Sequence, residues 1–430
     1  MKLFEKSLFL RSIEENAVGK PLILYGVGMD AVWAIEDWCR HFGKPFHGCI
    51  CDRNPQAQKF KIDAVDVLSP DSAFARYPDA YIWVAAKNFK FEIIGYLLYE
   101  KKIPANRILN FEPVLFKKGC RYAEKMFFAF EGFDENKALN RQIHICDNIR
   151  KTPTLQFTGY DTLCDEFCRF RDRVTEELAL GVDNGTCFHC ANVKESYFAA
   201  TKKIRTYNLA TDGRCNFRCS YCDAPIFSEK KVEKVFDFAR AFELFSKHDM
   251  LSPDLHVDIT SGEICVNPYR EQMLEVTARY AETVSIATNA SIFNQQIYEL
   301  LKSGRASLIV SLDAGTKETF ATIKNRDFFE KVQNNLRQYR QAGAGAVELK
   351  YIFLPGTNDN PRDIDGFIDF CKEIRPMIIT LSFDFYHKEK VQQHTLEMIQ
   401  RLKDGLSAQG LYYKYEARVA HILKLSDEVI

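Results

Sequence analysis

Short apolar runs alternate with stretches of three-to-four-residue apolar period along most of the chain, and this alternation divides it into regions. In residues 1–115, PLILYG (21–26), PFHGCICD (45–52), DAYIWVAA (79–86) and RILNF (107–111) read as strands. MDAVWAIEDWCRHFG (29–43) and a stretch near 88–102 read as helices between them. A β-α-β series of this kind implies a small parallel sheet covered by helices. Residues 116–200 are less regular, with aromatic-rich helical stretches, a Thr-Pro break at 152–153 and two cysteine pairs. Residues 201–385 alternate again. IRTYNLAT (204–211), LHVDIT (255–260), TVSIAT (283–288), ASLIVSLD (306–313), AVELKYIFL (346–354) and MIITLSF (377–383) are six strand candidates. Helices are expected near 233–247, 268–281, 293–302, 317–342 and 362–374. Six strand–helix units suit an incomplete (β/α) barrel, in which chemistry sits at the C-terminal strand ends. Residues 386–430 add a helix and an edge strand at LYYKYEA.

Composition narrows the setting. The chain has 430 residues, enough for two or three domains, with 58 basic and 58 acidic side chains. That balance gives no reason to expect a nucleic-acid or anionic-membrane partner. The N-terminal twenty residues are interrupted by Glu5, Lys6 and Arg11, so they read as an amphipathic surface helix rather than a signal peptide. No apolar run approaches the ~18 residues of a membrane span. The expectation is a cytoplasmic protein, in which 14 cysteines are reduced thiols rather than a disulfide framework.

Three of those cysteines stand in eight positions. GRCNFRCSYCDAP (213–225) carries Cys215, Cys219 and Cys222 just after the first strand of the third region. Three thiolates at C-x-x-x-C-x-x-C spacing can each hold one iron of a four-iron cubane. The fourth iron then keeps an open position for a reacting molecule, as catalytic zinc sites also do. A zinc site completed by a distant ligand is the competing reading.

The triplet is not alone. SGEI (261–264), ATNAS (287–291), SLDAGTKETF (311–320) and YIFLPGTNDN (351–360) follow at successive strand ends. Together, over about residues 201–385, these segments resemble the radical S-adenosylmethionine (radical SAM) superfamily. Ser261 and Ile264 stand where that family's Gly-Gly-Glu-Pro segment has glycine and proline. The resemblance implies an α/β protein whose core is a partial (β/α)6 TIM-like barrel. It also implies a 4Fe-4S cluster on Cys215, Cys219 and Cys222 that chelates S-adenosylmethionine and cleaves it to a 5′-deoxyadenosyl radical, which takes hydrogen from a substrate. By the same resemblance, Tyr221 places its backbone near the adenine and Ser261, Gly262 and Glu263 receive the amino group. Asn289, Ser311 and Asp313 lie where ribose and carboxylate contacts occur, Lys350 pairs with the cofactor carboxylate and Leu354 packs on the adenine. An electron donor such as flavodoxin or ferredoxin is implied as partner. The residue acting on the substrate is unknown at this stage.

Two further features bear on the reading. CDEFC and CFHC give Cys164, Cys168, Cys187 and Cys190, two pairs about eighteen residues apart, a metal-site pattern. A second 4Fe-4S cluster is favoured over zinc. The auxiliary clusters of SPASM and twitch relatives follow the barrel, whereas these pairs precede it. In YGVGMDA (25–31), Gly26 and Gly28 with Ala31 resemble the dinucleotide fingerprint, and Asp52, 21 residues past Ala31, stands where a ribose would be met. The region resembles the small Rossmann-like domains fused to sugar-modifying enzymes. A nucleotide site and a docking module both remain open. The substrate expected is a small molecule, a sugar or nucleotide sugar, with a peptide substrate and a non-catalytic zinc scaffold as alternatives.

Overall fold

In a computed structural model, residues 7–62, 64–120, 123, 127–133, 139–146, 153–182, 187, 190, 192–210, 214–222, 237–260, 262–384 and 391–416 are described. After a short amphipathic helix, Leu8–Asn16, come β1 (Leu22–Tyr25), β2 (Gly48–Cys51), β3 (Lys61–Ile62), β4 (Val65–Leu68) and β5 (Tyr81–Val84). They form one sheet in the order β3-β4-β2-β1-β5, parallel except for the β3 edge. All four positions of β1 are buried, which is why it reads as an unbroken apolar run: helices cover both faces. RILNF, expected as a strand, contributes only an isolated bridge between Ile108 and Ile82. The Asn110 side chain instead bonds the Val84 N–H and C=O at 3.0 and 2.9 Å, replacing a backbone ladder.

The middle region is richer in strands than its aromatic pattern suggests. β6 (Val114–Cys120), β7 (Phe127–Phe133), β8 (Leu139–His144), β9 (Thr154–Gln156) and β10 (Val193–Ala199) flank an 18-residue helix, Leu163–Leu180. Aromatic residues favour strands, and FFAFEGF is β7 and not a helix. β6 and β10 pair antiparallel as a separate ribbon.

The six expected barrel strands are present as β11 (Ile204–Ala210), β12 (Leu251–Thr260), β13 (Thr283–Ala287), β14 (Ala306–Ser311), β15 (Val347–Phe353) and β16 (Ile378–Phe383), all parallel in sequence order. The edge strand β17 (Tyr413–Tyr415) continues past β16, and β7, β8 and β9 continue past β11 into a ten-stranded sheet. The expected 317–342 helix is two helices, Lys317–Lys324 and Phe329–Arg340, broken where Asn325 turns left-handed at φ 55°. In β12 the fully buried Leu255, Val257 and Ile259 face the helices. The alternate positions, His256, Asp258 and Thr260, face the lumen, as a period of two requires.

The N-terminal unit docks on the floor of this barrel, at the N-terminal strand ends. Leu8 N–H donates to Glu282 at 2.7 Å, Gly345 N–H to Glu36 at 3.0 Å and Arg40 to the Ser303 carbonyl at 3.1 Å. The strongest tie is a four-charge cluster. Lys90 meets Glu112 at 2.9 Å and Asp254 at 2.6 Å; Arg205 meets Asp254 at 3.0 Å and also bonds Glu112. Burial alone would raise the Asp254 carboxyl, but Lys90 and Arg205 together hold it well below the usual carboxylate range.

Asp254→Asn leaves two largely buried cations short of a partner, so we expect a loss of about 3–5 kcal/mol, read as a lower urea midpoint. Because the folded pKa is depressed, Asp254 contributes its stability above the unfolded value near 4 and loses it as pH falls below that. Wild type should therefore destabilise more steeply than Asp254→Asn on acidification below about pH 4; parallel curves would show that the cluster contributes nothing.

Candidate active site

The three clustered cysteines sit on the loop that leaves the C-terminal end of β11, on the barrel face opposite the N-terminal unit. Cys215 and Cys219 are half-buried and Cys222 is exposed. Burial pushes the Cys219 thiol up to about 11, and the neighbouring Cys222 and Cys215 push the same way. Three thiols within eight positions of one loop share one locality, and their ionised forms repel unless a cation lies between them. That donor set fits iron of a cluster. Asn289 Nδ2 and the Phe217 N–H lie 3.6 and 3.4 Å from the Cys215 sulfur, donors of the kind that tune cluster thiolates. Among the described residues no three His, Cys, Asp or Glu side chains already stand together as an ion-holding group.

Two buried carboxylates hold the walls around this loop. Glu263, 1% exposed, accepts from Thr288 Oγ1 at 2.8 Å, from the Asn289 N–H at 2.6 Å and from the Cys265 N–H at 3.0 Å. Burial raises its pKa, and these backbone and hydroxyl donors offset part of the rise. Gly262 takes the left-handed φ of 63° that a side chain resists, and the Glu263 N–H donates to the Arg214 carbonyl at 2.6 Å. Glu263 thus spends its oxygens on joining the β12 and β13 ends, leaving backbone around Gly262 as the polar surface there.

Asp313 is wholly buried. One carboxylate oxygen accepts from Tyr221 at 2.6 Å and from Lys324 at 2.5 Å; the other accepts from the Ile352 N–H at 2.8 Å. Lys324 Nζ also donates to Tyr221 Oη at 2.7 Å. Burial, then Asp313, drives the Tyr221 phenol well above its ordinary value. The Ser220 N–H donates to the Ile323 carbonyl at 2.9 Å and the Arg218 N–H to the Lys324 carbonyl at 3.2 Å. The cysteine loop is therefore latched to the end of helix Lys317–Lys324. Leu354 packs with Ile323, Ile352 and Tyr221 beside the latch. Asn358, inside YIFLPGTNDN, donates to the Asp313 and Ile352 carbonyls, both at 2.8 Å.

The lumen below is polar. Ser311 lies in register with Lys350, which in turn pairs with Thr380, on the lumen side of β14 to β16. Lys350 stands 3.5 Å from Glu416, which also bonds Ser382. Glu348 accepts from Thr380 at 2.6 Å and faces Lys414 at 3.5 Å. Across the barrel, His256 faces Asp258 at 3.0 Å and Thr283 at 2.8 Å. His256, Lys324, Thr288 and Asn216 were not singled out from sequence, although Thr288 lay inside ATNAS and Asn216 inside GRCNFRCSYCDAP. Ser261 lies outside the described residues.

The N-terminal fingerprint looks inward. Gly26 has φ 108°, and a Cβ there would stand 2.4 Å from that of Ala86, so close packing explains this glycine. Gly28 caps helix Met29–Phe42. Asp52 accepts from the Val27 and Asn54 N–H groups, both at 2.8 Å. Asp30, in the first turn, pairs with Lys87 at 3.2 Å, and Lys87 bonds Thr283 of β13. The cavity between Asp30, Trp33, Lys87 and Arg305 measures about 50 Å³, against the several hundred that a small-molecule site occupies.

The second cysteine set falls on two elements. Cys164 and Cys168 share one face of helix Leu163–Leu180, one turn apart. Cys187 and Cys190 follow the other end of that helix, and burial pushes the Cys187 thiol up to about 11. Among the described residues, no helix is long and apolar enough to cross a membrane.

Comparison with known proteins agrees with this geometry. Residues 211–371 match the family described as the radical SAM superfamily. The GTP 3′,8-cyclase of Trichodesmium erythraeum is 29% identical over 161 residues, covering 34% of this chain and 47% of the cyclase. The Clostridium botulinum (strain Hall) GTP 3′,8-cyclase is 22% identical over 175 residues, covering 40% and 54%. The chain thus spans about half the length of the curated relatives it matches. Streptococcus suis SuiB bound to its precursor peptide SuiA superposes with a TM-score of 0.42 at 11% identity, over 72% of this chain and 75% of that one. With three thiols on the loop after β11 and the matched segment running through β15, residues 211–371 are similar to the radical SAM superfamily of enzymes.

Proposed function

We propose that this chain cleaves S-adenosylmethionine on a cluster held by Cys215, Cys219 and Cys222 and uses the product to take hydrogen from a small polar substrate in the barrel lumen. The observation that carries the reading is three cysteines at C-x-x-x-C-x-x-C spacing on one loop at the C-terminal face of a parallel barrel, above a lumen of charged and hydroxyl side chains. When bound, the cluster supplies one electron to the sulfonium and so a 5′-deoxyadenosyl radical. The chain's own residues do the rest. The Cys215–Cys222 loop is kept in place by Asp313, Lys324 and Tyr221. The backbone beside Gly262 offers polar groups to the cofactor's amino group, and Asn289 is positioned toward the ribose side. Leu354 with Ile352 forms an apolar wall for the adenine. Fixed groups of this kind orient the reacting atom.

The lumen supports a choice of substrate class. His256, Asp258, Glu348, Lys350 and Glu416 present paired charges that an apolar ligand would leave desolvated without compensation. Hydroxyl-rich or phosphorylated molecules, such as a sugar or nucleotide sugar, can exchange hydrogen bonds with them. The relatives named for a nucleotide substrate support this choice. An external one-electron donor, a flavodoxin or ferredoxin, completes the cycle. In the N-terminal unit the Asp30–Lys87–Thr283 contacts favour docking over nucleotide binding.

Reduced, reconstituted wild type should release 5′-deoxyadenosine from S-adenosylmethionine, and Cys219→Ser should release none; a wild type that forms none even slowly overturns the proposal. Lys324→Met should cost about 3–5 kcal/mol by stranding a buried carboxylate and should lower iron content with it. Lys324→Arg should restore part of both. Retention of full iron by the methionine variant would show that the latch does not hold the loop. Calorimetric titration with NAD or a nucleoside diphosphate should give no heat attributable to the N-terminal unit, equally in wild type and Gly28→Ala; saturable binding lost in that variant would reinstate the fingerprint as a nucleotide site.

A further inference from the structure

The pairing of β11, β12 and β13 sets lumen side chains in lateral rows, since residues directly opposite one another on neighbouring strands share a face. One row is Asn208, Asp258 and Ser285, each in register with the next. The row beneath it, two residues nearer the barrel floor, is Thr206, His256 and Thr283. Neighbours in a row stand one strand spacing apart, about 4.8 Å.

The lower row holds the upper one. An ionised Asp258 only accepts, so the His256 Nε2 that meets its Oδ1 at 3.0 Å carries the hydrogen. Nδ1 of the neutral ring then accepts, and Thr283 Oγ1 lies 2.8 Å from it. Lys87 of the N-terminal unit donates to the same hydroxyl. Ser285 Oγ stands 3.2 Å from His256 Nε2, so two members of the upper row meet one ring nitrogen. The upper row keeps polar groups in hand. Asn208 Oδ1 accepts from Thr260 Oγ1 at 2.8 Å. Among the described residues, the Asn208 amide nitrogen has no acceptor and Asp258 Oδ2 has no donor.

We propose, on the reading that the lumen takes the substrate of the radical, that Asn208, Asp258 and Ser285 are specificity-determining residues for two neighbouring hydroxyls of that substrate, with His256 as a positioning residue for Asp258. A hydroxyl donates and accepts at once. One that donates to Asp258 Oδ2 can accept from the Asn208 amide, and the hydroxyl on the next carbon can pair with Ser285. A phosphate or carboxylate would meet like charge at Asp258 and has nothing to donate to it. An ammonium would leave the Asn208 amide without an acceptor. The row therefore fits the diol edge of a sugar ring.

The test is calorimetric titration of the full-length, cluster-loaded protein with UDP-glucose and with GDP-mannose. Wild type should bind at least one of them saturably. Asp258→Asn should weaken that binding about tenfold or more, as for a hydrogen bond to a charged group, and Asn208→Ala about two- to tenfold, as for a neutral one. Both variants should keep wild-type iron content as proof of folding. His256→Gln, whose amide can still donate to Asp258, should bind more tightly than His256→Ala; equal weakening by the two would overturn the positioning role. Should Asp258→Asn be insoluble, Asn208→Ala and Ser285→Ala carry the test, and wild-type affinity in both would overturn the row. Release of 5′-deoxyadenosine is read in parallel. A wild type that releases none overturns the proposed function and the row with it. One that releases it but binds neither probe, or binds no better than Asp258→Asn, overturns the row alone.

Discussion

The buried pair of Asp313 and Lys324 is the interaction on which the site depends. Both side chains are almost wholly out of water, 0% and 2% exposed. Such a pair is costly to bury and strongly destabilising to break, so its presence asks what it does beyond stability. Its geometry gives the answer. Asp313 takes the Ile352 N–H from the neighbouring strand, and Lys324 and Asp313 together take the Tyr221 hydroxyl from the cysteine loop. One charge pair therefore sets the position of a loop relative to two strand ends. A hydrophobic replacement could fill the space but could not aim the loop.

The parallel sheet imposes the second constraint. All strand C-termini open on one face, where the cysteine loop, Glu263, Asn289 and Asp313 gather; all N-termini open on the other. The N-terminal unit covers that second face through Glu282, Ser303, Gly345 and the Lys90–Asp254–Arg205–Glu112 cluster. It therefore stands away from the cofactor face. Its glycine-rich turn is compatible with two physical uses, close backbone approach to a ligand or close approach to another backbone, and Ala86 occupies the space beside Gly26.

Much of this was legible in the chain. The six barrel strands fall within one or two residues of the expected positions, except that β12 begins earlier, because fully buried strands carry uninterrupted or strictly alternating apolar residues. Most of the segments at their ends carry the residues that build the site walls. What was not legible was partnership across long sequence separations. Lys324 gives no local signal, since its importance comes from lying beside Asp313 and Tyr221, the latter 103 positions away. Glu263 and Asp313 looked like groups for a ligand, and their oxygens are instead taken by the protein. Strand ends are where carboxylates can do either.

The two cysteine patterns differ in how far spacing alone constrains them. Cys215, Cys219 and Cys222 lie on a single loop, so their separation in sequence bounds their separation in space. Cys164 and Cys187 lie on different elements, and a helix intervenes whose rise of about 1.5 Å per residue carries its ends far apart.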